Sequence, residues 1–242
     1  DVRPSWTAPR QQATLVSLDP LGRAESDELV EGLLREQAVS EQVRRRIAET
    51  AEGNPLFVEQ MLAMLADDPN VTEHAVPPTI QGLLAARIDR LEAEERAVLQ
   101  RASVEGRLFH RGAVSALLED GAGLGGTLLT LARKEFVRPD RSLFPGDDGF
   151  RFNHVLIRDV AYASVPKELR AELHARLAAW LTRRADAQLT GRDEIVGYHL
   201  EQAYRYRSEL GRRDDDTRVL ALEAGRLLRG AGHRPYRPRC RW

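Results

Sequence analysis

At 242 residues, 42% of them hydrophobic and 30% charged, the sequence has the make-up of an ordinary globular chain long enough for more than one compact unit. Its 36 Lys+Arg nearly balance 37 Asp+Glu, and a formal net charge of -1 argues against a general nucleic-acid binder, which needs a basic surplus or a clustered basic face. No apolar stretch approaches membrane-spanning length, and the sole cysteine, Cys240, excludes a disulfide framework and a cysteine metal site.

The first residues, Asp1-Val2-Arg3-Pro4, lack both an initiator Met and the layout of a signal peptide. The chain is therefore expected to begin inside a longer protein, with a cytoplasmic location as the default. Pro4 biases Arg3 toward extended geometry, and Ala13 to Leu18 alternates weakly in a β-compatible way before Asp19-Pro20 breaks it. Ser26 is predicted to cap a helix whose apolar face is Leu29, Val30, Leu33 and Leu34. A second helix spans Ser40 to Ala51, with Val43, Ile47 and Ala51 on one face.

Gly53-Asn54-Pro55-Leu56 then stops one helix and starts the next. Gly53 sits where a C-cap favours positive φ, Asn54 is a good N-cap, and Pro55 falls at the first helical position. Such a joint presents a helix N-terminus, whose N–H groups and dipole suit an anion. On these residues alone the plainer reading is a well-made turn.

Residues 67 to 78 form a polar loop closed by Val76-Pro77-Pro78. Thr79 can cap a helix carrying Ile80, Leu83, Leu84, Ile88 and Leu91 on one stripe, and Glu92 to Ser103 adds another with Val98, Leu99 and Ala102 inward. Two short helices are expected over Phe109 to Leu118 and Leu124 to Lys134. The period then changes. Phe136-Val137-Arg138 and Phe150-Arg151-Phe152 read as short strands around the turn Pro145 to Gly149. Three helices followed by a small hairpin is the order of a winged helix-turn-helix.

Beyond Val155 the chain is helical again, with a break at Pro166 and helices over Lys167 to Arg184, Asp193 to Leu210 and Thr217 to Leu228. Consecutive helices with short joints suggest the start of a helical-repeat array. The tail from His233 reads as irregular. The expected class is thus mainly α: a helical lid bundle, a winged helix-turn-helix with a small β-hairpin, then repeat (TPR-like) helices.

The run Ala51 to Gln60 resembles the helical-lid signature of STAND-type signalling ATPases, the NB-ARC-like relatives of AAA+ proteins. Val76-Pro77-Pro78-Thr79-Ile80-Gln81, Leu84 to Leu91, Arg101 to Phe109, Arg151 to Tyr162 and Gly197 to Ala203 resemble later landmarks, in family order. The similarity is to the ATPase module that follows adenylate or guanylate cyclase domains in bacterial regulators.

The resemblance implies five segments: residues 1–20 as the end of a nucleotide-binding core, 21–75 as lid, 76–154 as winged helix, 155–232 as the start of the repeats, and 233–242 as an irregular tail. It implies that Pro55 packs against bound ATP or ADP, that Gly53 allows the close approach, that His154 reaches the β-phosphate of ADP, and that Arg3 reads the γ-phosphate. Relatives often place Asp after that histidine, where this chain has Val155. A half-buried structural histidine at a strand–helix junction is the competing reading of His154.

No Gly-x-x-x-x-Gly-Lys-Ser/Thr occurs, nor an apolar strand ending in paired acids. Mg²⁺ could therefore enter only through upstream motifs, and catalysis by these residues alone is not expected. The function expected is that of a regulatory region: a nucleotide-dependent switch controlling an attached output domain. Its partners would be an upstream core and proteins docking on the repeats, with no direct nucleic acid and no membrane.

Two alternatives come from other classes: a winged-helix transcription regulator of the large LuxR-like ATPase type, and a helical-repeat scaffold. Against the first, the candidate recognition helix Leu124 to Lys134 has basic residues only at its C-terminal end.

Overall fold

A computed structural model describes residues 20–34, 41–67, 77, 79–118, 123–184 and 191–232. The chain divides into two compact units, Asp1–Val76 and Pro77–Trp242. Among the described residues it is mainly helical, with one small antiparallel sheet.

In the first unit, α1 (Arg23–Leu34), α2 (Glu41–Ala51) and α3 (Pro55–Asp67) pack on one another. The helical spacing of Val43, Ile47 and Ala51 turns these residues inward against Phe57, Val58, Met61 and Leu65. The start of α1 departs from expectation. Ser26 is buried inside the helix, and its N–H bonds the Gly22 carbonyl at 2.9 Å. Glu25 reaches back to accept from the Gly22 N–H at 2.7 Å, so the helix begins three residues before the expected cap. Leu33, expected on the apolar face, is exposed.

The second unit opens with α4 (Ile80–Asp89), where Thr79 Oγ1 accepts from the Gly82 N–H at 3.1 Å as the expected cap. In α5 (Ala93–Glu105) a capping box forms: Glu95 accepts from the Glu92 N–H at 3.0 Å while Glu92 accepts in return. Next come β1 (Leu108–His110), α6 (Arg111–Leu117), α7 (Leu124–Arg133), β2 (Val137–Asp140) and β3 (Gly149–Phe152).

Here the expected helix over Phe109 to Leu118 is corrected. Its first two residues belong to a strand that pairs with β3, Phe109 opposite Phe150, giving the sheet order β1-β3-β2. Gly106, at φ 147°, ends α5 and frees the chain to extend. The pairing then places Phe109 against Phe150 and Phe152, with ring centroids 5.8 and 5.2 Å away. Helix, strand, two helices and a hairpin follow one another in the order expected, with a third strand added to the sheet.

Helices α8 (Val155–Ala163), α9 (Lys167–Arg183), α10 (Arg192–Glu209) and α11 (Asp215–Gly232) complete the unit. One apolar cluster joins α4, α5 and α7 to the sheet and α8 through Leu84, Leu99, Leu128, Phe136, Phe152 and Ile157. A second joins α6 and the β2–β3 loop to α9 and α10 through Leu117, Phe144, Leu173, Leu177, Trp180 and Leu200. Asp147 anchors that loop, accepting from Arg184 at 2.8 Å and from the Gly112 N–H at 2.9 Å. No helix among the described residues is long and apolar enough to cross a membrane.

Candidate functional site

The joint at Gly53 is built from backbone needs. Glu52 and Gly53 take φ of 46° and 75°, turning the chain out of α2. The Asn54 N–H bonds the Ala51 carbonyl at 2.8 Å, and Asn54 Oδ1 accepts from the N–H groups of Leu56 at 3.0 Å and Phe57 at 3.4 Å. The leading donors of α3 are therefore largely satisfied from within the chain, which weakens the helix end as an anion seat. Pro55 heads α3 with its ring exposed.

Gly53 is buried for a local reason: a Cβ there would lie 2.4 Å from the Leu21 carbonyl oxygen and 2.8 Å from Pro20 Cβ. The Leu21 N–H bonds the Gly53 carbonyl at 2.9 Å, so the close approach is made by the segment entering α1. Beside it opens a cleft of about 490 Å³, lined by Gly53, Arg44, Arg45 and the carboxylates of Asp27, Glu31 and Glu49.

His154 lies in the second unit, directly after β3, and caps α8. Its Nδ1 accepts from the Leu156 N–H at 3.2 Å. An accepting Nδ1 carries no proton, so in the neutral ring the proton sits on Nε2. That Nε2–H makes no hydrogen bond to a described residue, leaving a donor at the strand–helix junction. The structural reading of His154 thus has a concrete form, a half-buried cap, and it leaves a second ring nitrogen for other use. Gly53 and Pro55 are neighbours in the first unit; Arg3, Cys240 and the tail lie outside the described residues.

A buried polar assembly in the second unit was not foreseen. His174 on α9 and His199 on α10 meet Nδ1 to Nδ1 at 2.8 Å, both buried. His174 Nε2 lies 2.8 Å from the Tyr162 hydroxyl, which lies 3.0 Å from that of Tyr206. Arg170 donates to Tyr206 at 3.5 Å and stands over the Tyr162 ring at 4.6 Å. Burial pushes His174 well below the usual histidine value, helped by His199, Arg158 and Arg170; burial with Arg158 pushes His199 down to about 4.

Next to this chain opens a cavity of about 390 Å³. On its wall Glu105 accepts from both the backbone N–H of His110, at 2.9 Å, and the His110 ring. His110 Nε2 in turn accepts from the Leu143 N–H at 3.1 Å, which assigns the ring proton to Nδ1. Burial raises the Glu105 carboxyl against the lowering pull of these His110 bonds.

A sequence signal for the histidine pair did exist. His174 falls on the stripe of Leu177 and Leu181, and His199 beside Val196, Leu200 and Ala203, so each occupies a core-facing helical position. Among the described residues no three His, Cys, Asp or Glu side chains converge as a metal site. No protein-family model matches this chain, and no curated protein matches it.

Proposed function

We propose that this chain is the lid, winged-helix and first repeat region of a STAND-type signalling ATPase, acting as a nucleotide-dependent switch on an attached output domain. A nucleotidyl cyclase is the output that the sequence resemblance favours. The observation that carries the reading is the placement of His154. It follows the wing strand directly and heads α8 with an Nε2–H pointing to no described partner. A donor of this kind suits a phosphate oxygen.

The residues present fit an adenine nucleotide in part. Pro55 is exposed and can pack against a base or ribose, and His154 can donate to a phosphate. Gly53 already accommodates Leu21, so its glycine requirement has a source inside the chain. The sequence holds no Gly-x-x-x-x-Gly-Lys-Ser/Thr, so in this scheme Mg²⁺ is held by the motifs of an upstream core. When bound, that core and its nucleotide would supply the phosphate cradle and any hydrolysis.

In this scheme Pro55 and His154 hold lid and winged helix to the core while ADP is present, and release them when ATP replaces it. Such a switch works only if the two conformations differ in affinity for the two nucleotides, by about 10⁴-fold for a complete swing. The proposed location is the cytoplasm, with protein partners docking on the repeat helices. Direct DNA reading is disfavoured: the outward face of α7 carries Gly126, Leu129 (61% exposed) and Arg133, with one charge among them.

The test compares fluorescent ADP binding by this chain and by a version joined to the residues encoded before Asp1. Binding only by the longer chain supports the switch. Tight, salt-sensitive DNA binding by the 242-residue chain, with no nucleotide binding by the longer one, would replace it with the transcription-regulator reading.

A further inference from the structure

The cavity of about 390 Å³ in the second unit is of the size that small organic ligands occupy. It lies among the end of α5, the β2–β3 loop and helices α8, α9 and α10. Val104, Phe144, Val155, Leu181 and Ile195 give it an apolar body. Its polar groups are few and unequal in their commitments.

His199 lines the cavity and is only 2% exposed. Its Nδ1 is held by His174, and its Nε2 has no partner among the described residues. The hydrogen-bond chain behind it determines what that nitrogen offers. Arg170 can only donate, so it favours a Tyr206 hydroxyl that donates onward to Tyr162. Tyr162 then donates to His174 Nε2, His174 Nδ1–H donates to His199 Nδ1, and His199 carries its proton on Nε2. A residue that lines the cavity therefore carries an N–H with no partner among the described residues.

Arg158 lines the same space as a fixed cation. Its Nε donates to the Ser103 carbonyl at 2.9 Å, one Nη donates to Asp159 at 3.0 Å, and the guanidinium lies 4.9 Å from the Tyr162 ring centroid. Its second Nη has no partner among the described residues. The carboxylate of Glu105, by contrast, already accepts two bonds from His110. Arg107 and Glu194 are exposed, and their opposite charges offset each other at the rim.

We propose that this cavity is a binding site for a small monocarboxylic acid with an aromatic or branched apolar body. Its carboxylate takes the donors of His199 Nε2 and Arg158, and its apolar end packs on Phe144, Leu181 and Ile195. The site is independent of the nucleotide reading, since the ligand class contains neither base nor phosphate.

The experiment titrates the 242-residue chain with three probes on one carbon skeleton: 3-phenylpropionate, 3-phenylpropionamide and 3-phenylpropylamine. Ligand-observed NMR gives affinity, and ¹⁵N imidazole shifts report on His199. The acid should bind at least tenfold tighter than the amide or the amine and shift the His199 ring nitrogens. Arg158→Gln should erase the preference for acid over amide. Val155→Trp, which narrows the cavity without touching the histidine chain, should weaken all three. Amine binding equal to that of the acid, no binding by any probe, or acid binding unchanged in Val155→Trp would each overturn the proposal.

Discussion

His174 and His199 share one proton between facing Nδ1 atoms 2.8 Å apart, so one ring must donate and the other accept. Charging both would remove the acceptor, and charging either places a cation at depth beside Arg158. Both histidines are held below their ordinary value of 6.5, so the unfolded chain binds protons first as pH falls. The stability they contribute is complete above that value and is lost as pH drops toward about 4, where His199 titrates in the folded chain.

Each histidine should cost about 1.4 kcal/mol of stability at one pH unit below its unfolded pKa. The thermal midpoint of the second unit should therefore fall by several degrees between pH 7.5 and 5.5. In His199→Gln, which cannot titrate, the fall should be shallower. A wild-type midpoint constant across that range would show that the pair is not buried and neutral. Differential scanning calorimetry across the pH series makes the comparison.

Gly53 and Gly126 should respond in opposite ways to alanine. At Gly53 the left-handed backbone and the Leu21 carbonyl, 2.4 Å from where Cβ would sit, both resist a side chain. Gly53→Ala should destabilise the first unit by more than about 1 kcal/mol. Gly126 lies within α7 with nothing near its missing Cβ, so Gly126→Ala should stabilise the second unit by roughly 0.5–1 kcal/mol. Chemical denaturation of the two variants reads both signs.

Lys134, one of only two lysines in the chain, reaches both oxygens of Glu95 at 2.9 and 2.8 Å. Glu95 is buried and also closes the capping box of α5. Glu95→Ala removes the cap and leaves Lys134 without its carboxylate, and should cost about 1–3 kcal/mol. Glu95→Gln, which can still accept from the Glu92 N–H, should cost less. Equal losses in the two variants would locate the effect in the charge pair alone.

The helices were largely legible because their apolar residues recur at helical spacing and their ends carry local caps. Thr79, Asn54 and Pro55 act through the next few residues, and each appears where the sequence placed it. Ser26 misled because a polar residue before an apolar run resembles a cap, whereas Gly22 and Glu25 supply the start and the serine turns inward. β1 was hidden for a different reason. Three residues gain strand geometry only by pairing with β3 some forty residues later, and the helix that follows extends its own periodicity back over them.

The candidate sites divide along the same line. The turn at Gly53 is set by a short stretch and could be named from the sequence, whereas its close contact with Leu21 could not; His154 was placed at a strand–helix junction, but its cap bond to Leu156 was not foreseen. The Tyr206-Tyr162-His174-His199 chain needs α8, α9 and α10 to converge, and its histidines stand 25 residues apart on different helices. Their core-facing positions were visible, but their contact was not.

The proposed nucleotide switch turns on His154, whose observed cap and proposed phosphate contact use different ring nitrogens. His154→Ala would lose both. His154→Ser keeps a side-chain oxygen for the Leu156 N–H and removes only Nε2. The decisive measurement is the ADP affinity of His154→Ser by isothermal titration, in this chain joined to the upstream core that the proposal requires. The switch reading predicts a loss of roughly tenfold or more, with the thermal midpoint of the nucleotide-free protein unchanged. An unaltered ADP affinity would contradict it and leave His154 as the cap of α8 alone.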